Sequence, residues 1–87
     1  MTAITKRTDR FTETDIDDEI VVMRLDSGDF FSLAGTAGTI WRLIDGKRDR
    51  AELLGMVRHE YDGEDATIAA EVDEFLSDLK EMGLLAG

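Results

Sequence analysis

The sequence predicts an α+β domain in which two or three antiparallel strands are followed by three short helices. Three observations carry that expectation. Up to Leu33 the apolar residues sit in short runs rich in valine, isoleucine and phenylalanine, whereas after it they recur every three or four positions. Turn and capping residues fall at each change of pattern. The length of 87 residues, 43% of them hydrophobic, suits one thin core and leaves no room for a second.

Met1 to Thr8 is polar, and residues 1–8 are expected to be a flexible N-terminus ahead of a single domain over 9–87. Arg10 to Ile16 carries a weak strand signal and ends at the turn-like Asp17-Asp18. Glu19 to Leu25 is β-branched and apolar on both parities, which predicts a strand buried at least in part on both faces. Asp26-Ser27-Gly28-Asp29 follows as a hairpin turn with a glycine free to take positive φ, and Phe30-Phe31-Ser32-Leu33 is the return strand.

Gly35 or Thr36 is expected to cap the first helix, whose apolar face is Ile40, Trp41, Leu43 and Ile44 and whose stop is Asp45-Gly46. Asp49 caps a second helix with Leu53, Leu54, Val57 and Tyr61 on one face, ending at Asp62-Gly63. Asp65 is the expected cap of a third helix over Ala66 to Met82, with Ile68, Val72, Phe75, Leu79 and Met82 as its core stripe. Gly83 ends it, and Leu84-Leu85 folds back as an apolar tail.

Charge and composition exclude several functions. Twenty acidic residues against ten basic ones give a formal charge of −10, a field that repels phosphate backbones and anionic lipid. Neither nucleic acid nor membrane is therefore an expected partner. Cysteine is absent, which removes disulfides, thiolate catalysis and zinc–sulfur sites, and is compatible with a reducing cytoplasm. The N-terminal residues hold no apolar signal region, and no run approaches the roughly 18 apolar residues of a membrane span.

Catalytic and metal motifs fail one by one. His59 has no nucleophile or second acid near it in sequence and reads as a solvated helix residue. Asp15, Asp17, Asp18 and Glu19 resemble the start of a calcium loop, but the position that needs glycine is Ile20. Ser27, Ser32 and Ser77 lack the context of an activated serine, and Gly35-Thr36-Ala37-Gly38-Thr39 lacks the lysine of a phosphate loop. Trp41 reads as a core residue beside Ile40 and Ile44, and Lys47-Arg48-Asp49-Arg50 as a solvated loop and helix start. No catalytic residue, metal ligand or cofactor is expected.

A binding edge is the remaining feature. A short sheet leaves an edge strand with unpaired N–H and C=O groups, and Phe30 to Leu33 has neither proline nor lysine to protect it. A guest peptide would add there as a further strand. Phe30 and Phe31 must point to opposite faces, so one of them either anchors a guest or completes a two-sided core. On the third helix Ala69, Asp73, Leu76 and Lys80 form a stripe beside the core residues, either walling a groove along that edge or lying as a half-exposed flank.

Leu25-Asp26-Ser27-Gly28-Asp29-Phe30-Phe31-Ser32-Leu33, then Thr36-Ala37-Gly38 and Ile40-Trp41-Arg42-Leu43, resemble PqqD-like proteins. So do Asp45-Gly46, the Tyr61 region, Val72-Asp73-Glu74-Phe75-Leu76 with Leu79, and Gly83-Leu84-Leu85. The resemblance covers about Glu19 to Leu85 and implies a RiPP recognition element, a small winged-helix-like domain of three strands and three helices. Such domains bind the leader of a ribosomally made precursor peptide as an added strand and present it to a separate protease, cyclase or other modifying enzyme. Carried onto this chain, the implied peptide-binding residues are Phe30, Phe31, Ser32 and Leu33 with Ala69, Val72, Asp73, Leu76 and Lys80.

Gly-Asp-Phe-Phe-Ser-Leu and Ile-Trp-Arg-Leu look most like the stand-alone leader binders of lasso-peptide pathways. Ala34 replaces the asparagine frequent there, and the Pro-Glu pair of the pyrroloquinoline-quinone member is missing. The resemblance implies a cytoplasmic, non-catalytic peptide chaperone, monomeric or weakly homodimeric. A winged-helix nucleic-acid binder is the rival of similar topology, but the charges of the second helix nearly cancel and the third is acidic.

Overall fold

The computed structural model describes residues 3–61 and 63–86. In chain order the elements are β1 (Thr5–Lys6), β2 (Phe11–Ile16), β3 (Glu19–Arg24), β4 (Phe30–Leu33), α1 (Gly35–Leu43), α2 (Arg50–Glu60), α3 (Asp65–Glu81) and β5 (Leu85–Ala86). β2, β3 and β4 form an antiparallel sheet in that order, and β1 pairs separately with β5. The expected α+β arrangement of three antiparallel strands followed by three helices is present.

Turn chemistry sets the sheet's register. Asp17 takes φ of 55°, a left-handed conformation that aspartate tolerates, and closes a two-residue turn pairing Ile16 with Glu19. Gly28 takes φ of 76° in the β3–β4 turn, where a Cβ would be strained. Register then follows as Ile20 opposite Leu33 and Met23 opposite Phe30.

One face of the sheet enters the core and the other stays open. Phe11, Ile20, Val22 and Leu33 are buried together with Ile40, Trp41 and Ile44 of the α1 region, Leu53, Leu54 and Val57 of α2, and Ile68, Val72 and Leu79 of α3. Val21 is half-buried and Met23 exposed, so the outer face of β3 is covered only in part. The cause is the layer count: with helical residues packed beneath one face only, the alternate residues of β3 have no second layer to enter.

Helix ends follow the sequence closely at one point and differ at two. Asp49 and Glu52 make a reciprocal capping box, the Asp49 carboxylate accepting from the Glu52 N–H at 2.9 Å while the Asp49 N–H donates to Glu52 Oε1 at 3.2 Å. Ala34, not Gly35 or Thr36, is the N-cap of α1, without a side-chain hydrogen bond. Glu64 takes that position for α3, leaving Asp65 in the first turn, where its charge still suits the helix dipole. Asp62, expected beside the end of α2, lies outside the described residues. Gly38 allows α1 to close on the sheet, since a Cβ there would stand 3.3 Å from the Leu33 carbonyl oxygen.

Ile4 to Arg7 make backbone bonds to the rest of the domain. Thr5 and Lys6 pair with Ala86 and Leu85, the Arg7 N–H donates to the Leu84 carbonyl at 2.7 Å, and the Ile4 N–H to that of Arg48 at 2.8 Å. Backbone pairing with the C-terminal tail supplies the partners that a polar two-residue strand cannot announce in sequence. Met1 and Thr2 lie outside the described residues. No helix among the described residues is long and apolar enough to cross a membrane.

Candidate functional site

Both outer strands of the sheet pair on one side only, β2 and β4 each with β3. The Arg24 N–H donates to the Asp29 carbonyl at 2.8 Å, which fixes the phase of the β3–β4 ladder. Antiparallel alternation then turns the N–H and C=O groups of Phe31 and Leu33 toward β3, and those of Phe30 and Ser32 toward the open edge. Side chains alternate across the other axis: Phe31 and Leu33 point inward opposite Val22 and Ile20, while Phe30 and Ser32 point outward opposite Met23 and Val21. Phe30 is accordingly 73% exposed, and Phe31 is half-buried against the core.

Two hollows lie toward the ends of this strand, one reached through Ala34 after Leu33 and one through Arg24, which bonds across to Asp29. At its Leu33 end a hollow of about 290 Å³ is lined by Ala34, Thr36, Ala37 and Ile40 on one side and by Glu71 and Phe75 of α3 on the other. At its Phe30 end a wider, shallow hollow is lined by Arg24 with Asp78, Glu81 and Met82. Glu71, Phe75, Asp78 and Met82 recur at spacings of four, three and four, so one flank of α3 supplies both hollows. Ala37, Ile40 and Phe75 give the first hollow an apolar part beside Glu71, and the second sets Met82 beside Asp78, Glu81 and Arg24. Arg24, the basic group present, is engaged by Asp26 at 3.1 Å.

The residues singled out from sequence divide between two sides of the molecule. Phe30 to Leu33 form β4 and its open edge, whereas Val72 is 0% exposed and belongs to the core. Asp73, Leu76 and Lys80 line a different cleft, of about 310 Å³, together with Ala3, Ile4, Arg50, Ser77, Leu85 and Ala86. Ala69, half-buried, packs against the core on that same flank of the helix. Asp73 is there gripped by the Arg50 guanidinium through two hydrogen bonds of 2.5 and 2.7 Å, and this partner holds its carboxyl below the usual carboxylate range. Helical spacing identifies two flanks beside a core stripe, but the sequence does not say which one the strand edge meets. Phe75 and Met82, expected in the core stripe, are half-buried: they pack against the core and also line the two hollows toward the ends of β4.

The opposite edge is differently dressed. Phe11 stacks edge-on against Trp41 with ring centroids 5.1 Å apart, and Trp41 Nε1–H donates to the Glu13 carboxylate. Arg42 pairs with Asp15 at 3.2 Å, so α1 ties down both carboxylates of β2. The Lys6 ammonium lies 4.2 Å from the Trp41 ring centroid, and burial lowers its pKa from the ordinary value despite the nearby Glu13 and Asp45 charges. Trp41 is itself fully buried, as its neighbours in sequence imply.

Elsewhere the chemistry is sparse. His59 is exposed on α2, and no group of three or more histidine or carboxylate side chains capable of holding a metal ion occurs among the described residues. An open strand edge with partly apolar, acid-bearing hollows toward its ends defines a class of small winged-helix-like domain suited to capturing an extended peptide.

The comparisons agree with that class. The family model described as coenzyme PQQ synthesis protein D matches residues 19–85, and the chain belongs to this PqqD family. Its fold is similar to TbiB1 in complex with the TbiA(β) leader peptide, at 29% identity over 91% of this chain and 92% of that chain, with a TM-score of 0.81. It is also similar to a lasso peptide synthetase B1 complexed with its leader peptide, at 20% identity over 97% and 98% of the two chains, with a TM-score of 0.82. No curated protein gives a significant sequence match.

Proposed function

We propose that this protein is a leader-peptide-binding adaptor in the biosynthesis of a ribosomally made, enzymatically modified peptide, of the lasso type. The observation that carries the reading is the unpaired β4 edge together with the hollows that Glu71, Phe75, Asp78 and Met82 of α3 line toward its two ends. Membership of the PqqD family and likeness to a TbiB1–leader complex support it. The leader adds as a fourth strand beside β4, bonding through the outward groups of Phe30 and Ser32. Its inward side chains lie over Phe31 and Phe75, and its outward ones lie beside Phe30.

Affinity in this scheme comes from backbone pairing and two or three apolar anchors, offset by the ordering of a disordered guest. The domain does no chemistry; it hands the held leader to a protease, cyclase or other modifying enzyme in the cytoplasm. Titrating the protein with the leader encoded beside its gene tests the proposal, with saturable binding expected. Phe31→Ala and Phe75→Ala, checked for folding, are expected to weaken binding about tenfold each, while Leu76→Ala on the far flank changes it by less than about twofold. No saturation up to roughly millimolar leader would refute the assignment.

A further inference from the structure

We infer that the peptide received along β4 carries two basic residues flanking an apolar one, in the order basic-x-apolar-x-basic on the side that faces α3. This rests on the leader-binding reading of the β4 edge and adds the chemistry of the ligand to it.

The flank of α3 that lines the two hollows presents Glu71, Phe75, Asp78 and Met82. Glu71 and Asp78 have no ion-pair partner within 4.0 Å among the described residues, in contrast to Asp73 on the opposite flank, which Arg50 holds. Arg24, in the hollow with Asp78, donates through Nη2 to Asp26, while its buried Nε has no partner among the described residues. An apolar guest residue therefore meets Phe75, and the nearest unanswered charges on either side of it are carboxylates.

Spacing turns this into a pattern. Along a helix Glu71 precedes Phe75 by about 6 Å and Asp78 follows it by about 4.5 Å, at 1.5 Å per residue. In a strand, successive residues on one face lie about 6.7 Å apart. With an apolar side chain seated on Phe75, the guest residues two before and two after it come opposite Glu71 and Asp78. A long lysine or arginine stem covers the remaining offset while lying along the apolar lining. The pattern reads the same in both directions, so it holds whichever way the guest runs. An acidic residue opposite Glu71 would stand beside a like charge with no basic group among the described residues lining that hollow.

The overall charge of −10 attracts any basic peptide, so the test must separate these hollows from the field of the whole molecule. The probes are three synthetic threonine-based peptides with centres Lys-Thr-Leu-Thr-Lys, Gln-Thr-Leu-Thr-Gln and Glu-Thr-Leu-Thr-Glu. Binding is read at low salt from amide shifts of Phe30 to Leu33 in the full-length protein. The double variant Glu71→Lys/Asp78→Lys is set against Asp18→Lys/Glu60→Lys, which changes net charge equally at exposed sites on the β2–β3 turn and α2.

The lysine peptide is expected to bind about 5- to 10-fold more tightly than the glutamine peptide, the advantage shrinking as salt rises. The α3 variant should reverse the order in favour of the glutamate peptide, and the distant variant should preserve it. Equal binding of the lysine and glutamine peptides at β4, or an equal loss in both double variants, would overturn the inference and leave leader binding standing. Absence of β4 shifts with all three peptides and with the leader itself at millimolar concentration would overturn the leader-binding reading.

Discussion

The two edges of the central sheet are made of the same unpaired backbone and have opposite surroundings. Along β2 every inward side chain after Phe11 is a carboxylate, and α1 holds both, Glu13 through Trp41 and Asp15 through Arg42. Along β4 the sequence Phe-Phe-Ser-Leu carries no charge, and hollows lined in part by α3 lie toward its two ends. An unpaired edge alone does not make a receptor for a strand. What differs is the adjacent side chains: inward-pointing charges guard β2, and β4 has none.

The largest effect expected from disturbing this contrast is on stability. Trp41→Ala removes a fully buried indole, its stacking on Phe11 and the donor to Glu13, and should cost about 3–5 kcal/mol in urea unfolding at pH 7. Trp41→Phe retains most of the volume but strips Glu13 of its partner, at about 1 kcal/mol. A cost below about 1 kcal/mol for the alanine variant would mean that the β2 edge is not secured by this side chain.

A proline pair tests the edges directly. Ser32 and Asp15 both direct their N–H outward, so proline at either removes no bond to β3. Ser32→Pro should weaken leader binding about tenfold or more through a lost backbone bond and a blocked approach. Asp15→Pro should leave affinity within about twofold. Similar losses from both would erase the distinction between the edges.

The smallest effect concerns the two flanks of α3. Arg50 holds the Asp73 carboxyl below its ordinary pKa, so the ion pair adds stability that is fully present above the unfolded carboxylate pKa and disappears as pH falls through the folded one. Asp73→Asn should therefore narrow the difference in unfolding midpoint between pH 7 and pH 3. Because both groups are exposed, the change will be slight, and leader affinity at pH 7 should not move.

Much of the fold was legible because it is written in local chemistry. The Asp26–Asp29 turn with Gly28 announced the β3–β4 hairpin, and Asp49 with the apolar Leu53, Leu54 and Val57 announced α2 and its core face. What escaped depends on distant pairing. Thr5-Lys6 has no hydrophobic period of its own and becomes a strand only because Leu85-Ala86 lies beside it. Trp41 was readable as core, but its bond to Glu13 joins residues 28 positions apart in different elements. Likewise the β4 edge could be found from composition, whereas the choice between the Ala69–Lys80 and Glu71–Met82 flanks of α3 requires the handed arrangement of helix on sheet.

Amide hydrogen exchange with and without saturating leader tests the central claim most directly. The account predicts that the Phe30 and Ser32 amides, open in the free protein, become protected on binding, while those of Glu13 and Asp15 exchange as before. Protection appearing along β2, or around Arg50 and Leu85 in the opposite cleft, with Phe30 and Ser32 unchanged, would contradict it.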